Sequence, residues 1–210
     1  MLSQNDIIRW IKTSATLIAE NKDHLTDLDR AIGDADHGNN MDRGFKKVLA
    51  QLDGVKEKDI GSILKSVGMA LISSVGGAAG PLYGTFFMQA ANAVNAKQEL
   101  SDTEVADFLL AGTHGLINRG KTKPGDKTIV DSLQPAVITL KEHIDAGEDI
   151  IEAMRQAVIR AEQGVQETIP LVARKGRASY LGERSAGHQD PGATSAYLIL
   201  QALLEAIKSH

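Results

Sequence analysis

The 210-residue chain has no cysteine, so disulfides, thiolate nucleophiles and thiolate metal sites are excluded. Any metal must sit among oxygens and histidine nitrogens. Aromatic residues make up only 4 %, which leaves aliphatic and alanine-rich segments to build a core, and these favour closely packed helices. There is no basic excess either: 23 Lys and Arg stand against 27 Asp and Glu, a formal net charge of −4. Nucleic-acid binding begins with a basic face, so no nucleic-acid partner is expected. No apolar run is long and uninterrupted enough to span a bilayer. The start, Met1 to Asp6, has no basic stretch leading into an apolar one. A cytoplasmic protein without a membrane partner is the expectation. The rest of the composition, 42 % hydrophobic and 24 % charged, is ordinary for a globular chain. The length suits one domain over 1–210 with a substantial core.

Hydrophobic spacing of 3.6 residues dominates. Ser3 reads as an N-cap before the stripe Ile7, Ile8, Ile11, Ala15 and Ile18. Further helices are predicted over 38–52, 59–74 and 80–94, the last with Pro81 in its first turn, where a missing N–H costs nothing. Ser101 and Glu104 form a capping-box pattern before Val105, Phe108, Leu109, Gly112 and Leu116. Two more helices cover 129–144 and the stripe Ile150 to Val165. The last, over 193–209, is apolar nearly all round and belongs deep in the core. The strand-like tracts are short, Lys127 to Val130 and Pro170 to Val172. The expectation is therefore all-α, a barrel or bundle of about eight antiparallel helices. Gly and Asp crowd into 29–38, 76–84, 120–126 and 176–192. Those connections follow helices one, three, five and seven, so even–odd counting brings them to one end.

Asp29, Asp34 and Asp36 lie within eight positions, broken by Gly33 and followed by His37 and Gly38. Hard cations such as Mg²⁺ take oxygen ligands, a few carboxylates with waters and phosphates. An isolated Asp-x-Asp is more often a solvated turn or cap, but flanking glycines that let the backbone bend favour a site. An EF-hand is excluded, because Gly38 and Phe45 fall where that loop needs oxygen ligands. Ser73 to Gly84 is glycine-rich. It suits either anion binding at a helix start or close packing of helices through small residues, and the sequence does not choose. Gly115 to Thr122 matches G-x-x-x-x-G-K-[ST] letter for letter. A P-loop requires a strand before and a helix after; here a helical stripe precedes, and Lys123, Pro124 and Gly125 follow. Gly120 reads instead as a helix end. The stretch 174–195 is a long aperiodic loop bearing Arg174, Lys175, Arg177 and Arg184, either a phosphate-facing element or a basic surface hairpin. His24, His114 and His210 read as surface residues, and no Ser–His–Asp pattern suggests a nucleophile.

Taken together, Asp29 to Arg43, Ser73 to Thr85, Gly120 to Thr128 and Ala173 to Ser195 resemble, in order and spacing, the L subunits (nucleotide-binding subunits) of bacterial dihydroxyacetone kinases. The resemblance covers the chain. It implies a barrel of eight antiparallel helices with the nucleotide in the loops at one end. It implies that Asp29, Asp34 and Asp36 hold two Mg²⁺ ions. His37, Gly38, Asn39, Asn40, Ala78 and Ala79 match nucleotide contacts, and Gly120, Ile129, Arg177, Asp190, Pro191 and Gly192 match positions around base, ribose or phosphates. Arg177 would also stabilise charge during transfer. Ala79 departs from a serine common in the family, so only its backbone N–H could serve there. The family has a branch in which one chain carries both nucleotide and substrate domains and uses ATP. In the other, a separate L subunit keeps ADP, which an M subunit fed by the phosphotransferase system converts to ATP for the ketose on a K subunit. The chain ends at His210 without a substrate domain, so it resembles the second branch. An ATP-dependent L subunit of another ketose kinase and a non-catalytic nucleotide sensor are the competing readings. Homodimerisation and contact with a transcriptional regulator stay open.

Overall fold

The computed structural model describes residues 1–208; Ser209, the expected end of the last helix, and His210 lie outside the described residues. The elements in order are β1 (Leu2–Ser3), α1 (Gln4–Glu20), α2 (Lys22–Ile32), α3 (His37–Leu52), α4 (Ile60–Ser74), α5 (Ala79–Ala93), β2 (Glu99–Leu100), α6 (Asp102–Gly120), α7 (Ile129–Asp145), α8 (Ile150–Glu167), a 3-10 segment (Arg177–Ser185) and α9 (Pro191–Lys208). Helices α3 to α9 each pack on the next, α1 packs on α3, and α9 returns to α1. Eight helices thus close a ring, and α2 is an additional element resting on α3 and α9. No described helix is long and apolar enough to cross a membrane.

The local chemistry explains the starts. Ser3 and Asp6 form a capping box on α1, as do Ser101 and Glu104 on α6. Thr128 and Asp131 form a third on α7, so the strand-like tract 127–130 is in fact a cap and a first helical turn. The tract 170–172 is likewise irregular. Helix α2 escaped the sequence reading because its buried stripe, Leu25, Thr26, Asp29 and Ile32, is half polar. The pairing of Leu2 with Leu100 and Ser3 with Glu99, which fastens the chain start to the α5–α6 connection, was not foreseen either.

The core is aliphatic around a small aromatic cluster. Trp10 is fully buried, with its ring centroid 5.5 Å from Phe87 and 6.0 Å from Phe108. Its Nε1–H donates to Ile199 O on α9 at 2.9 Å. Helix α9 is buried nearly all round and touches α1, α2, α7 and α8. Between α4 and α5 the contact is backbone to backbone: a Cβ on Gly68 would come 2.8 Å from Gly84 O.

Trp10 joins α1, α5, α6 and α9, so Trp10→Ala should cost about 3–5 kcal/mol. Denaturant unfolding followed by circular dichroism checks this; a midpoint within error of the parent's would show that the aromatic cluster is dispensable.

Candidate functional site

Helix α2 ends at Ile32, Gly33 N–H bonding back to Asp29 O at 2.5 Å. Ala35 then takes a left-handed turn at φ 59, and α3 begins at His37. Asp36 stands at the N-cap but makes no side-chain capping bond. Asp29 caps in its place: its Oδ2 accepts from Asp36 N–H at 2.8 Å and His37 N–H at 3.1 Å. The carboxylate is 92 % buried in the sense that only 8 % of the residue is exposed, and two backbone donors at a helix start stabilise its charge. Asp36 is thereby released to face outward. Gly33 is required beside it, because a Cβ there would lie 2.0 Å from Asp29 Oδ1. Asp29, Asp34 and Asp36 can each offer an oxygen such that all lie within 4.8 Å of one another. That suits a hard divalent cation completed by water and phosphate oxygens.

These carboxylates sit at one end of a cavity of about 510 Å³. Its wall is assembled from all four predicted loops. Beside the acidic residues stand His37 and Asn40, then Gly76, Gly77, Ala78 and Ala79 at the start of α5. Gly77 has φ 64, a conformation that favours glycine, and its α-carbon has open space around it. Gly80 serves packing instead, since a Cβ there would meet Val75 O at 2.3 Å. The packing reading of the glycine-rich stretch thus holds at Gly80, while Gly77 lies open on the cavity wall. The apolar lining comes from other helices: Pro81 and Leu82 of α5, Leu116 of α6, and Ile129 and Val130 of α7. Gly120 and Thr122 also line the cavity, and Thr122 Oγ1 is buried there with no hydrogen-bond partner among the described residues. The remaining wall is Lys175, Gly176, Arg177 and Ala178 with Asp190, Pro191 and Gly192. Arg177 Nε reaches Asp34 Oδ2 at 2.9 Å, bridging the mouth. The expected aperiodic loop contains 3-10 turns, broken at Gly182.

Two positions expected near a ligand do not line the cavity. Gly38 is buried against α2, where a Cβ would be 2.0 Å from Lys22 O; its role here is packing. Asn39 is exposed beside it. Lys127, unnoticed in the sequence, does line the cavity. The P-loop-like Lys121 is exposed, in a left-handed helix C-cap, and the residues before it are helix α6. At this motif a helix stands where a P-loop needs its strand, and the next helix begins only at Ile129.

Behind the cavity runs a polar chain. His37 Nε2 lies 2.9 Å from Ser195 Oγ, and that hydroxyl lies 2.7 Å from Tyr83 OH and donates to Gly192 O at 3.0 Å. Burial lowers the imidazole pKa to about 4, against the opposing pull of Asp29 and Asp36. Asp190 caps α9 by accepting from Ala193 N–H at 2.7 Å. Burial, chiefly, lifts its carboxyl to about 7; the Asp131 charge adds to the rise, while Ala193 N–H and Lys127 oppose it.

The chain matches the DAK2 domain model over residues 31–205. It is 49 % identical to the PEP-dependent dihydroxyacetone kinase, ADP-binding subunit DhaL, of Escherichia coli K12, over 99 % of both chains. It is 38 % identical to the PTS-dependent dihydroxyacetone kinase, ADP-binding subunit DhaL, of Lactococcus lactis, over 99 % of this chain and 100 % of that one. Among solved structures, the dihydroxyacetone kinase of C. freundii in complex with AMP-PNP and Mg²⁺ superposes with a TM-score of 0.71 at 23 % identity, covering 93 % of this chain and 33 % of that one. The last likeness concerns the fold, and this chain spans a third of that protein's length.

The cap and the cluster separate two effects. Asp34→Ala should weaken Mg²⁺ binding with little change in stability, whereas Asp29→Ala should do both, costing about 1–2 kcal/mol through the lost helix cap. Lys121→Ala should do neither. Mg²⁺ titration by calorimetry beside a denaturation curve checks all of them; a Lys121 loss as large as that at Asp34 would restore the P-loop.

Proposed function

Because the chain belongs to the DAK2-domain family of dihydroxyacetone kinase subunits, we propose that it is a single ADP-binding domain that relays a phosphoryl group within such a kinase. The observation that carries the reading is the convergence of Asp29, Asp34 and Asp36 in a cavity to which α5, α6 and α7 contribute an apolar lining. A nucleoside diphosphate suits both features, with phosphates at one end and a flat base at the other. The slot of Leu82, Leu116 and Ile129 suits a purine, and the unmet Thr122 hydroxyl offers it a hydrogen bond.

The residues fit Mg²⁺, and Asp29, Asp34 and Asp36 would hold two ions. When bound, these ions would neutralise phosphate charge. Asp29 is fixed beforehand by two N–H groups, so it needs no reorganisation as charge develops. Arg177 brings a guanidinium to the same end from the opposite wall, where it would sit against the phosphoryl oxygens as they move. His37 and Asn40 would flank the phosphates, with the backbone at Ala78 and Ala79. Gly120, Ile129, Asp190, Pro191 and Gly192 shape the remaining contour. When bound as ATP, the nucleotide would supply its γ-phosphoryl group to a hydroxyl of the acceptor and be left as ADP, a transfer that asks this chain for positioning and charge rather than a covalent bond to phosphorus.

The donor and acceptor lie on other chains in this reading. A K subunit would hold dihydroxyacetone, and an M subunit fed by the phosphotransferase system would return a phosphoryl group to the retained ADP. Support comes from the relatives matched over nearly their full length, whose names give ADP binding and dependence on PEP or the phosphotransferase system.

Purified protein should carry ADP. With a K subunit and dihydroxyacetone, ATP alone should give little sustained turnover, and adding the M subunit with a phosphoenolpyruvate source should restore it. Dihydroxyacetone phosphate formed per bound nucleotide, with each donor in turn, measures this. Many turnovers on ATP alone would place the chain in the ATP-dependent branch; nucleotide binding with no transfer from either donor would make it a sensor.

A further inference from the structure

The chemistry above leaves the side chain of Lys127 unused. Lys127 stands two residues before α7 with φ 62, and it is buried, 1 % exposed. Its Nζ donates to the carbonyl oxygens of His188 at 2.5 Å, Ser185 at 2.6 Å and Leu171 at 3.1 Å, with Ile169 O at 3.5 Å. An ammonium has three N–H donors, which the three shorter contacts use; the fourth is at the limit of a bond. Every one of these neighbours is an acceptor. A neutral amine would turn a lone pair toward one of the carbonyls, so the cage suits only the charged form. Burial lowers the lysine's pKa, and the Asp190 charge opposes that.

The four carbonyls come from two stretches of chain. Ile169 and Leu171 lie where the chain leaves α8, and Ser185 and His188 where it returns to α9. The segment between them brings Lys175 and Arg177 to the cavity wall, and Arg177 reaches Asp34 across the mouth. Gly187 N–H to Ile169 O at 2.8 Å and Ala173 N–H to Ser185 Oγ at 2.8 Å join the same two stretches. One cation, anchored in the α6–α7 connection, gathers both roots of the loop.

We propose that the Lys127 ammonium is the bolt of the 168–190 loop, a positioning residue that holds Lys175 and Arg177 over the cavity and so sets how long a bound nucleotide stays. This rests on reading the cavity as a nucleotide site. If the side chain only filled space, an apolar chain of similar length would serve equally well.

Lys127→Gly removes the cation and leaves the backbone at ease, since glycine adopts a positive φ freely. The expected result is release of a fluorescent ADP analogue at least about tenfold faster, a barrier change of about 1.4 kcal/mol. Amide hydrogen exchange should accelerate over 169–190 and stay unchanged in α4 and α5. n-Butylammonium, which can refill the cage, should restore both slow release and loop protection; tetramethylammonium, with no N–H, should not. Lys127→Met should behave as Lys127→Gly does without the amine, and it decides the matter where the glycine variant fails to fold. Release and loop exchange at wild-type rates in Lys127→Met would overturn the proposal. So would a loosened Lys127→Gly loop indifferent to butylammonium. Parent protein that binds no ADP would overturn the nucleotide reading alone, and loop exchange in the variants would still decide whether Lys127 bolts the loop.

Discussion

A helix start leaves backbone N–H groups without partners, and at α3 a carboxylate from the preceding helix meets them. Asp29 accepts from Asp36 and His37, and the rest of the cavity depends on that choice. Had Asp36 capped its own helix, its carboxylate would be folded back on the backbone. With Asp29 in that position, Asp34 and Asp36 remain on the cavity side, and the acidic loop is held rigidly against α2. The cost is steric: only glycine fits at position 33 beside Asp29 Oδ1. The same residue is thus a structural cap and a member of the proposed metal-binding set, so a substitution there alters both.

Charge of both signs lines the cavity. Asp29, Asp34 and Asp36 come from the end of α2 and the α2–α3 connection, and Lys175 and Arg177 from the loop before α9, which also contributes Asp190. Arg119 and Lys127 add positive charge from the end of α6 and the α6–α7 connection. The acidic connection and the loop before α9 attract through Arg177 and Asp34. Both side chains are partly solvated, so the pair itself contributes little stability. It is better understood as a latch that phosphates and cations could compete with. The buried charges are another matter. Lys127 is surrounded by carbonyl oxygens, and Asp190 has a helix-start N–H and the Lys127 field, so neither is left bare.

The barrel was legible because its information is local. Stripes at 3.6-residue spacing and the Ser3 and Ser101 caps are written within a turn or two of the residues they govern. Helix α2 was not legible, since Thr26 and Asp29 occupy two of its four buried positions, and hydrophobic periodicity is blind to a face buried for polar reasons. The short pairing of Leu2 with Leu100 is long-range and leaves no local trace. Within the cavity, Asp29, Asp34 and Asp36 stood out by their density, and context excluded the P-loop at Lys121. Lys127 went unseen for a definite reason. Its partners are 42 to 61 residues away along the chain, and they are backbone carbonyls, which carry no residue identity. Thr128 and Asp131 did carry a capping pattern, and weighing it would have fixed the start of the helix expected over 129–144 and removed the strand-like alternative at 127–130.

The ring geometry also explains why the chemistry collects at one end. Eight helices that alternate in direction have two sets of connections. At the far end the α3–α4 and α7–α8 connections are short and serve as caps, Asp59 and Asp149 bonding the first turns of α4 and α8. At the cavity end the α2–α3 and α4–α5 connections are short, whereas 121–128 and 168–190 are long and must satisfy their own backbone groups. They do so by bonding to one another: Arg174 N–H to Asp126 O, Asp190 N–H to Thr168 Oγ1, and Lys127 to the carbonyls beyond α8. Loops tied in this way form a common wall, and a wall shared by several loops can present carboxylates, cations and an apolar slot at fixed separations. Side chains on one helix face could not, because neighbours on a helix recur only every third or fourth residue. The barrel therefore acts as a mount, and the cavity is built from the connections and helix ends that it gathers at one end.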